Sequence, residues 1–329
     1  MPDLAVIIVT WNVRDLIVNA LESLYADLAT SGLQTDLYVV DSASQDGTPD
    51  IIAARFPQVK LTASAENLGF GKANNLALRQ IGFGRSPLSD LPPAVYLLNP
   101  DTITHPGATR ALYDALMTQS QVGLVGARLS YEDGSFQHSA FGFPGLGQLW
   151  VEFFPTPGRL IEGAFNGRYS RALYESERPF PVDFMLGATM MLKREVIQQT
   201  GMFDETFFMY CEEIDWAWRI HEAGWQVQCV PSAHVTHLAG KSTSQVRPRS
   251  LRYLWTSRLL LAKKHYPLWK QIAARGLIVA GMRRKAQLLS RSPDYVPTRD
   301  NALLLTYEDI AEMALKGQGA LKGQGALHP

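Results

Sequence analysis

The first part of the chain alternates between two patterns, and this alternation restricts the fold more than any other feature. Short apolar runs rich in β-branched residues are typical of strands buried on both faces; they lie at Ala5–Val9, Leu37–Val40, Val95–Leu98 and Val122–Val125. Residues at helical spacing lie between them: Leu16, Ala20, Leu24 and Leu28; Ala73, Leu76, Ala77 and Gln80; and Ala111, Leu112, Ala115 and Leu116. We therefore predict an α/β fold with a mostly parallel sheet flanked by helices, which binds ligands beyond the carboxyl ends of its strands.

The second part of the chain is less regular. From about Ser139 to Pro181 the sequence is rich in Gly, Pro and aromatic residues, which predicts a long loop with an acceptor-facing or interfacial role. Regular structure is expected again at Val182–Leu192 and in a helix over Glu213–Ala223, which Gly224 ends.

The C-terminal region has two compositions. Beyond Arg247, helical segments carry Arg and Lys beside Trp, Tyr and Leu; they could rest on an anionic membrane surface or form a helical lid with a solvated basic face. Lys316–Leu321 is repeated as Lys322–Leu327, and we expect this low-complexity tail to be disordered.

Composition excludes several classes. The hydrophobic fraction of 46% predicts a folded globule. The 31 basic and 31 acidic residues cancel, so we expect no nucleic-acid partner. Two cysteines are too few for a disulfide framework and favour a reducing cytosol. The start has no basic segment typical of a signal peptide, and no run approaches the ~18 apolar residues of a membrane span.

Polar residues follow the first two predicted strands, where a parallel sheet would present a nucleotide pocket. Thr10, Trp11 and Asn12 follow the first strand, and Asp41 follows the second. A carboxylate such as Asp41 can accept the N–H of a pyrimidine base, whereas Asp46 is better explained as a helix cap.

Two further segments could bind a donor. In Asn67–Asn75, Gly69 allows close backbone approach and Lys72 could meet a phosphate or base oxygen, although the glycine spacing of the common nucleotide motifs is absent. Asn99–Asp101 ends a buried strand, so Asp101 could hold Mg²⁺ or Mn²⁺ against a diphosphate; a simple Pro-Asp turn is the alternative.

Three acids, Glu212, Glu213 and Asp215, are crowded between aromatic residues. Like charges raise a carboxyl pKa, as a general base requires, although acids are also favoured at a plain helix N-terminus. Further along, His234 and His237 are three residues apart, so in an extended segment they face opposite sides and would not share a metal. His237 is the better candidate for a metal or phosphate ligand, and a packed core histidine is the alternative.

In this order, the segments resemble the family 2 glycosyltransferases, especially the bacterial rhamnosyltransferase-like branch, over about residues 4 to 265. The matching pieces are Ile7–Asn12, Val39–Gly47, Asn67–Phe70, Leu98–Asp101, Phe203–Glu205, Glu212–Asp215, and His237 with Gly240 and Ser242.

The resemblance implies a GT-A fold, in which a Rossmann-like nucleotide half and an acceptor half share one sheet. It implies that residues 1–245 form this domain, with the nucleotide half at about 1–127 and the acceptor half at about 128–245. C-terminal helices at 246–295 and a partly disordered tail at 296–329 would follow.

The resemblance also assigns roles. Asp41 would read the base, Asp101 would stand at the metal-binding aspartate of the family's DxD motif, and His237 would lie near the metal or diphosphate. Asn99 occupies the first position of that motif, where one carboxylate ligand is missing. Glu213 takes the position of the catalytic base, which is usually an aspartate, with Glu212 or Asp215 as substitutes.

The implied activity is an inverting, metal-dependent transfer of a sugar, with rhamnose as one candidate. The donor would be UDP- or dTDP-linked, and the acceptor a saccharide, with a lipid-linked one left open, in cell-wall or surface polysaccharide synthesis. We expect a cytoplasmic protein and leave open peripheral contact with the inner membrane face and a homodimer. The alternatives are a sugar nucleotidyltransferase, against which the lack of a Gly-rich loop after the first strand argues, and a non-catalytic glycan-binding relative.

Overall fold

The protein is described by a computed structural model over residues 1–238 and 247–317. These residues fall into two compact units. The first unit contains residues 1–143, 168–208 and 212–238. The second contains residues 144–167, 209–211 and 247–317.

The first unit is built on one large mixed sheet and a small two-stranded one. Its strands are β1 (Leu4–Thr10), β2 (Thr35–Ser42), β3 (Lys60–Ser64), β4 (Ala94–Leu98), β5 (Thr102–Thr104), β6 (Val122–Ser130), β7 (Phe136–Gln137), β8 (Ala140–Phe141), β9 (Phe180–Val182), β10 (Phe184–Met185), β11 (Thr189–Lys193) and β12 (Gln226–His237).

The strand order of the large sheet is β3-β2-β1-β4-β11-β6-β12-β5, with β7 paired to β6 and β9 to β12; β8 and β10 form the small sheet. Strands β1 to β4 are parallel, and β12 runs parallel to β6. Strand β11 is antiparallel to both of its neighbours, β4 and β6. The carboxyl ends of β1, β2 and β4 therefore lie on one edge, and β11 begins beside the end of β4.

Helices cover both faces of this sheet. They are α1 (Arg14–Ser31), α2 (Thr48–Arg55), α3 (Phe70–Ile81) and α4 (Ala108–Thr118) in the nucleotide half, and α7 (Arg171–Glu175), α8 (Arg194–Thr200) and α9 (Glu212–Glu222) beyond it. Alternate residues of β1 enter two cores: Leu4, Val6 and Ile8 pack with α1, α2 and α4, whereas Ala5 and Ile7 pack with α3, α8 and α9. Both faces of the strand are buried, which explains its unbroken apolar sequence.

The second unit is helical. It contains α5 (Leu146–Phe153), α6 (Gly158–Ile161), α10 (Arg247–His265), α11 (Leu268–Ser290) and α12 (Pro297–Lys316). Phe153 and Trp255 stack with ring centroids 5.1 Å apart in its core. Gly281 is needed beside Phe153, because a Cβ there would overlap the ring.

The strands and helices predicted between residues 5 and 125 are confirmed, and α9 lies within one residue of its predicted position. Strand β3 was not predicted, because this edge strand is mostly half-exposed and has no apolar run. Residues 144–167, assigned from sequence to the acceptor half, pack instead with the C-terminal helices.

The structure describes only part of the C-terminal tail that was predicted from sequence. Within the predicted tail, Pro297–Lys316 forms α12, whose Ile310, Ala311 and Ala314 are buried. The repeat beyond Gly317 and the motif residues Gly240 and Ser242 lie outside the described residues. Among the helices that the structure describes, none has the length and apolarity required to cross a bilayer.

Candidate active site

The ends of β1 and β2 are joined by a hydrogen-bond network around Asp41. Thr10 Oγ1 and Ser44 Oγ donate to Asp41 Oδ1 at 2.8 and 2.6 Å, and Ser44 N–H donates to Oδ2 at 2.9 Å. Asn12 N–H donates to Ser44 Oγ at 2.8 Å, and Asn12 Oδ1 accepts from Gln45 N–H at 2.7 Å. The network fixes the buried carboxylate in one orientation. Trp11, which lies between Thr10 and Asn12 in sequence, is half-buried.

Asp46 acts as the sequence predicts. Its Oδ1 accepts from the N–H and hydroxyl of Thr48, the first residue of α2, and its Oδ2 accepts from Arg14 N–H at 3.0 Å. These bonds satisfy free backbone donors at two helix starts. Burial opposes ionisation, but the hydrogen bonds outweigh it and lower the pKa of Asp46.

The start of α3 packs against the chain that leads to the acidic cluster. Gly69 has φ +72°, and a Cβ there would overlap the carbonyl oxygen of Phe208, which accepts a hydrogen bond from Phe70 N–H at 3.2 Å. Deeper in α3, Asn75 donates to Phe203 O at 2.9 Å and accepts from Phe203 N–H at 3.0 Å. Two segments more than a hundred residues apart in sequence are thereby held together.

Asn67 and Lys72 make local contacts in this segment. Asn67 Oδ1 accepts from Gly69 N–H at 3.0 Å and so shapes the turn before α3. Lys72 is half-exposed, and its Nζ lies 3.2 Å from Glu66 Oε1. This ion pair is therefore local to the segment before α3.

The three acids of α9 have different surroundings. Asp215 is fully buried, and its Oδ2 accepts from Arg219 Nε at 3.0 Å. Arg219 also donates to the carbonyls of Thr200 and Met202, so this ion pair ties α9 to the loop after α8. Glu212 is buried as well, whereas Glu213 keeps part of its side chain accessible. Of the three acids, Glu213 is the one best placed to meet a substrate.

Burial raises the pKa of Glu213 to about 7, although backbone N–H groups at the helix start partly oppose the shift. A Cβ built on Gly187 would lie 3.8 Å from Cβ and Cγ of Glu213 and 3.9 Å from the ring of Phe70. The stem of the side chain is therefore packed beside Gly187 and near Phe70, while Glu213 as a whole is only partly buried. A carboxyl with a pKa near the working pH is suited to proton transfer.

Glu213 is connected to the end of β4 through a single short stretch. Gly187 lies beside Glu213, and the next residue, Ala188, accepts a hydrogen bond from Asn99 N–H at 3.0 Å. Asn99 O in turn accepts from Thr102 Oγ1 at 2.7 Å, which fixes the turn that carries Asp101. Through these contacts Glu213 and the turn that carries Asp101 are both linked to the end of β4.

Asp101 and His237 are brought face to face. Asp101 Oδ1 lies 3.4 Å from His237 Nε2, and both side chains are buried. Asp101 O accepts from Leu238 N–H at 2.8 Å, and Thr102 is paired with His237 between β5 and β12. The pair forms although the two residues are far apart in sequence.

The pair fits a divalent metal. Two ligands of one ion at ~2.1 Å each are separated by roughly 3.0–3.5 Å, which the pair already matches. Gln137 Nε2 lies 3.2 Å from His237 Nδ1, while the buried Gln137 Oε1 has no hydrogen-bond partner. Turning this amide by half a rotation would let Oε1 accept the Nδ1 proton, which leaves the Nε2 lone pair facing Asp101 as a metal ligand requires.

No set of three or more His, Cys, Asp or Glu side chains suited to a metal occurs within residues 1–238 and 247–317. Two protein ligands are enough for a cation that is also held by diphosphate oxygens and water. Gln137 was not predicted from sequence, because its role depends on a partner 100 positions away.

His234 has a different environment from His237, as their spacing predicts. Its ring stacks on His105 at 4.0 Å, and its Nε2 lies 2.9 Å from Ser130 Oγ. Burial is the main cause that lowers the pKa of His234 to about 4, and electrostatic interactions with His105 and Arg128 lower it further. The imidazole is therefore neutral near pH 7 and holds β5 against β12 rather than binding an anion.

Solved structures show the same fold. A mannosyltransferase from Pyrobaculum calidifontis, solved with GDP-Man and Mn²⁺, superposes with a TM-score of 0.54 at 17% identity over 97% of this chain and 85% of its own. The fold and the site together define a glycosyltransferase of the GT-A type. The chain matches the family described as "Glycosyltransferase like family 2" over residues 2–256, and it belongs to that family.

Curated relatives agree with this assignment. The N-acetylglucosaminyl-diphospho-decaprenol L-rhamnosyltransferase of Mycobacterium tuberculosis is 30% identical over 277 residues, which cover 80% of this chain and 88% of the relative. The rhamnosyltransferase WbbL of Escherichia coli is 25% identical over 193 residues, which cover 56% of this chain and 66% of the relative. The family match favours a sugar transferase over the sugar nucleotidyltransferase considered from the sequence.

Proposed function

We propose that the protein transfers a sugar, with inversion at the anomeric carbon, from a UDP- or dTDP-linked donor to a saccharide hydroxyl. We further propose L-rhamnose as the sugar and a lipid-linked saccharide at the cytoplasmic face of the membrane as the acceptor. The names of both relatives support rhamnose, and the name of the mycobacterial relative supports the lipid-linked acceptor. Polysaccharide synthesis for the cell wall or surface is the corresponding process.

The observation that carries this proposal is the position of Glu213. Its partly accessible carboxyl group has a pKa of about 7 and lies beside Gly187, whose neighbour Ala188 is bonded to Asn99 at the end of β4. A base at this point can reach a hydroxyl that approaches a donor bound at the strand ends. Asp215 is less suited, because Arg219 already occupies its carboxylate.

The reaction is a single displacement. Ionised Glu213 accepts the proton of the acceptor hydroxyl as the oxygen forms a bond to the anomeric carbon. The bond between that carbon and the diphosphate oxygen breaks, and its electron pair leaves with the nucleoside diphosphate. Proton, bond and charge are thus accounted for without a covalent sugar–enzyme intermediate.

The donor would be held along the carboxyl ends of β1, β2 and β4. The fixed carboxylate of Asp41 is placed to accept a base N–H, with Thr10, Trp11 and Asn12 beside it. Asp101 and His237 would hold Mg²⁺ or Mn²⁺, which supplies positive charge to the diphosphate of the leaving group. Asn99 orients the turn through its backbone.

The test separates binding from transfer. We expect Glu213→Gln to keep metal-dependent stabilisation by dTDP- or UDP-sugar in a thermal-shift assay while transfer falls ~10²–10⁴-fold, since only the proton acceptor is lost. Asp101→Ala should lose the metal-dependent part of donor binding.

The control is Glu222→Gln, which makes the same change at an exposed site in the last turn of α9. It should leave both measurements unchanged. Undiminished turnover in Glu213→Gln would remove this residue from the mechanism, and absence of both donor binding and turnover in the unaltered protein would favour a non-catalytic glycan-binding role.

A further inference from the structure

Positive charge is concentrated in one stretch of the helical unit. From Arg247 to Arg291, which spans α10 and α11, the sequence has twelve Lys and Arg residues and no Asp or Glu. The whole chain, by contrast, has 31 basic and 31 acidic residues. Acids from other segments neutralise part of this charge, since Arg252 pairs with Asp309 and both Arg258 and Lys285 pair with Glu152. The rest of the stretch keeps an excess of basic residues, which creates a local field that attracts a polyanionic surface although the net charge of the chain is zero.

The turn between α10 and α11 combines this charge with exposed apolar side chains. Leu268, Trp269 and Ile272, in the first turn and a half of α11, are 71%, 65% and 59% exposed. Lys263 and Lys264 occupy the last turn of α10. We name residues 263–272 the α10–α11 tip. Single exposed apolar residues are common in soluble proteins, but three adjacent large ones indicate a binding surface.

The tip is held rigidly by its own unit. Tyr266 is buried, and its hydroxyl donates to Pro144 O at 2.6 Å. Lys270 Nζ lies 3.8 Å from the centre of the Tyr266 ring, and Gln271 Nε2 donates to Tyr266 O at 2.8 Å. The apolar side chains are thus presented by an anchored turn and do not owe their exposure to a loose segment.

We propose that the α10–α11 tip docks onto the surface of an anionic lipid bilayer. Leu268, Trp269 and Ile272 would enter the boundary between headgroups and acyl chains, where Trp is favoured, while Lys263 and Lys264 contact lipid phosphates. Neither helix crosses the bilayer in this arrangement, in agreement with the lack of a spanning helix among the described residues.

A second copy of this chain is a poorer occupant of the tip. A two-fold interface places the same patch of both copies together, so the basic tip would face an identical basic tip, and the stretch from Arg247 to Arg291 contains no Asp or Glu to offset the like charges. An anionic membrane supplies the opposite charge over the whole tip. The charge pattern therefore distinguishes the two occupants.

Flotation of the full chain with lipid vesicles tests this proposal without donor, acceptor or metal, so its outcome is independent of the proposed reaction. We expect binding to vesicles of mixed phosphatidylglycerol and phosphatidylcholine, weak binding to phosphatidylcholine alone, and loss of binding at high salt. Trp269→Glu with Ile272→Glu should lower the partition coefficient by at least ~10-fold, because two large apolar contacts are lost. Lys263→Glu with Lys264→Glu should lower it by ~10-fold at low salt.

Leu305→Glu is the matched control. Leu305 is 62% exposed in the same unit, but it lies on α12, which carries Asp300, Glu308, Asp309 and Glu312. This variant should bind vesicles like the unaltered protein. Equal binding by the Trp269/Ile272 variant and the unaltered protein would overturn the proposal. So would a dimer in sedimentation that the same variant dissociates, together with no vesicle binding by the unaltered protein.

Discussion

The start of α9 and the β5–β12 pair each contain a partly buried ionisable group. Burial shifts the pKa of these two groups in opposite directions. At the start of α9 it raises the pKa of Glu213 to about 7, whereas between β5 and β12 it is the main cause that lowers the pKa of His234 to about 4. In both regions the neutral form is favoured. Near pH 7, however, Glu213 can gain or lose its proton, while His234 remains neutral and keeps its hydrogen bonds. One region is suited to proton exchange and the other to constant geometry.

The largest expected effect that tests this contrast is on the rate. If Glu213 must be ionised to act, kcat/KM should rise about tenfold per pH unit up to a pH near 7 and level off above it. A pH–rate profile with saturating metal measures this limb.

Two variants test whether Glu213 causes this rise of kcat/KM with pH. Glu213→Asp should shift its midpoint, because the shorter side chain places the carboxyl in a different environment. His234→Gln should retain the midpoint near 7. An unmoved midpoint in Glu213→Asp would show that another group controls the rate.

A smaller effect is expected on stability at the active site. The folded-state pKa of Glu213 is raised above its usual 4.5, so its favourable contribution is present below pH 4.5 and is lost as pH rises through about 7. Glu213→Gln has no such loss. In urea unfolding at pH 8, the free energy of unfolding of this variant should exceed that of the unaltered protein by ~1–2 kcal/mol, a difference that allows for the partial exposure of Glu213. Near pH 4.5 the two proteins should differ little. Equal stability at pH 8 would contradict the raised pKa.

The smallest effect is expected at the histidine stack. The folded-state pKa of His234 lies below its usual 6.5, so its contribution is present above pH 6.5 and is lost as pH falls towards about 4. In melting experiments between pH 7 and 5, the unaltered protein should lose ~1 kcal/mol more than His234→Gln, after allowance for solvent screening. Parallel pH dependences of the two proteins would argue against a neutral stack.

The elements predicted from sequence are those whose stability is encoded locally. Buried strands such as β1 and β4 have apolar runs, and α3 has apolar residues at helical spacing. The insertion of β11 as an antiparallel strand between β4 and β6 was not predicted, because strand order depends on pairing between distant segments. α12 was assigned to the tail, because it buries a single apolar stripe and does so only by packing against α11.

The site residues that were predicted are likewise those with a signal in the sequence itself. Asp41, Asp101, Glu213 and His237 were singled out by strand ends, acid crowding and the family resemblance, and the structure places Asp101 against His237. Three other features were not predicted, because each is defined only by tertiary contact: the Gly187–Ala188 link, the amide of Gln137 and the stacking of His105 on His234. Asp215 shows why a cluster of acids in the sequence does not identify the catalytic one. Its carboxylate forms an ion pair with Arg219, which the acid cluster alone did not reveal.

The placement of β11 affects how the family can vary. Its register against β4, with Thr189 opposite Leu98, fixes where Gly187 and Ala188 lie between Glu213 and the end of β4. The long connection from β6 to β11 does not enter this ladder. Relatives could lengthen, shorten or replace that connection without altering the register that links Glu213 to the end of β4.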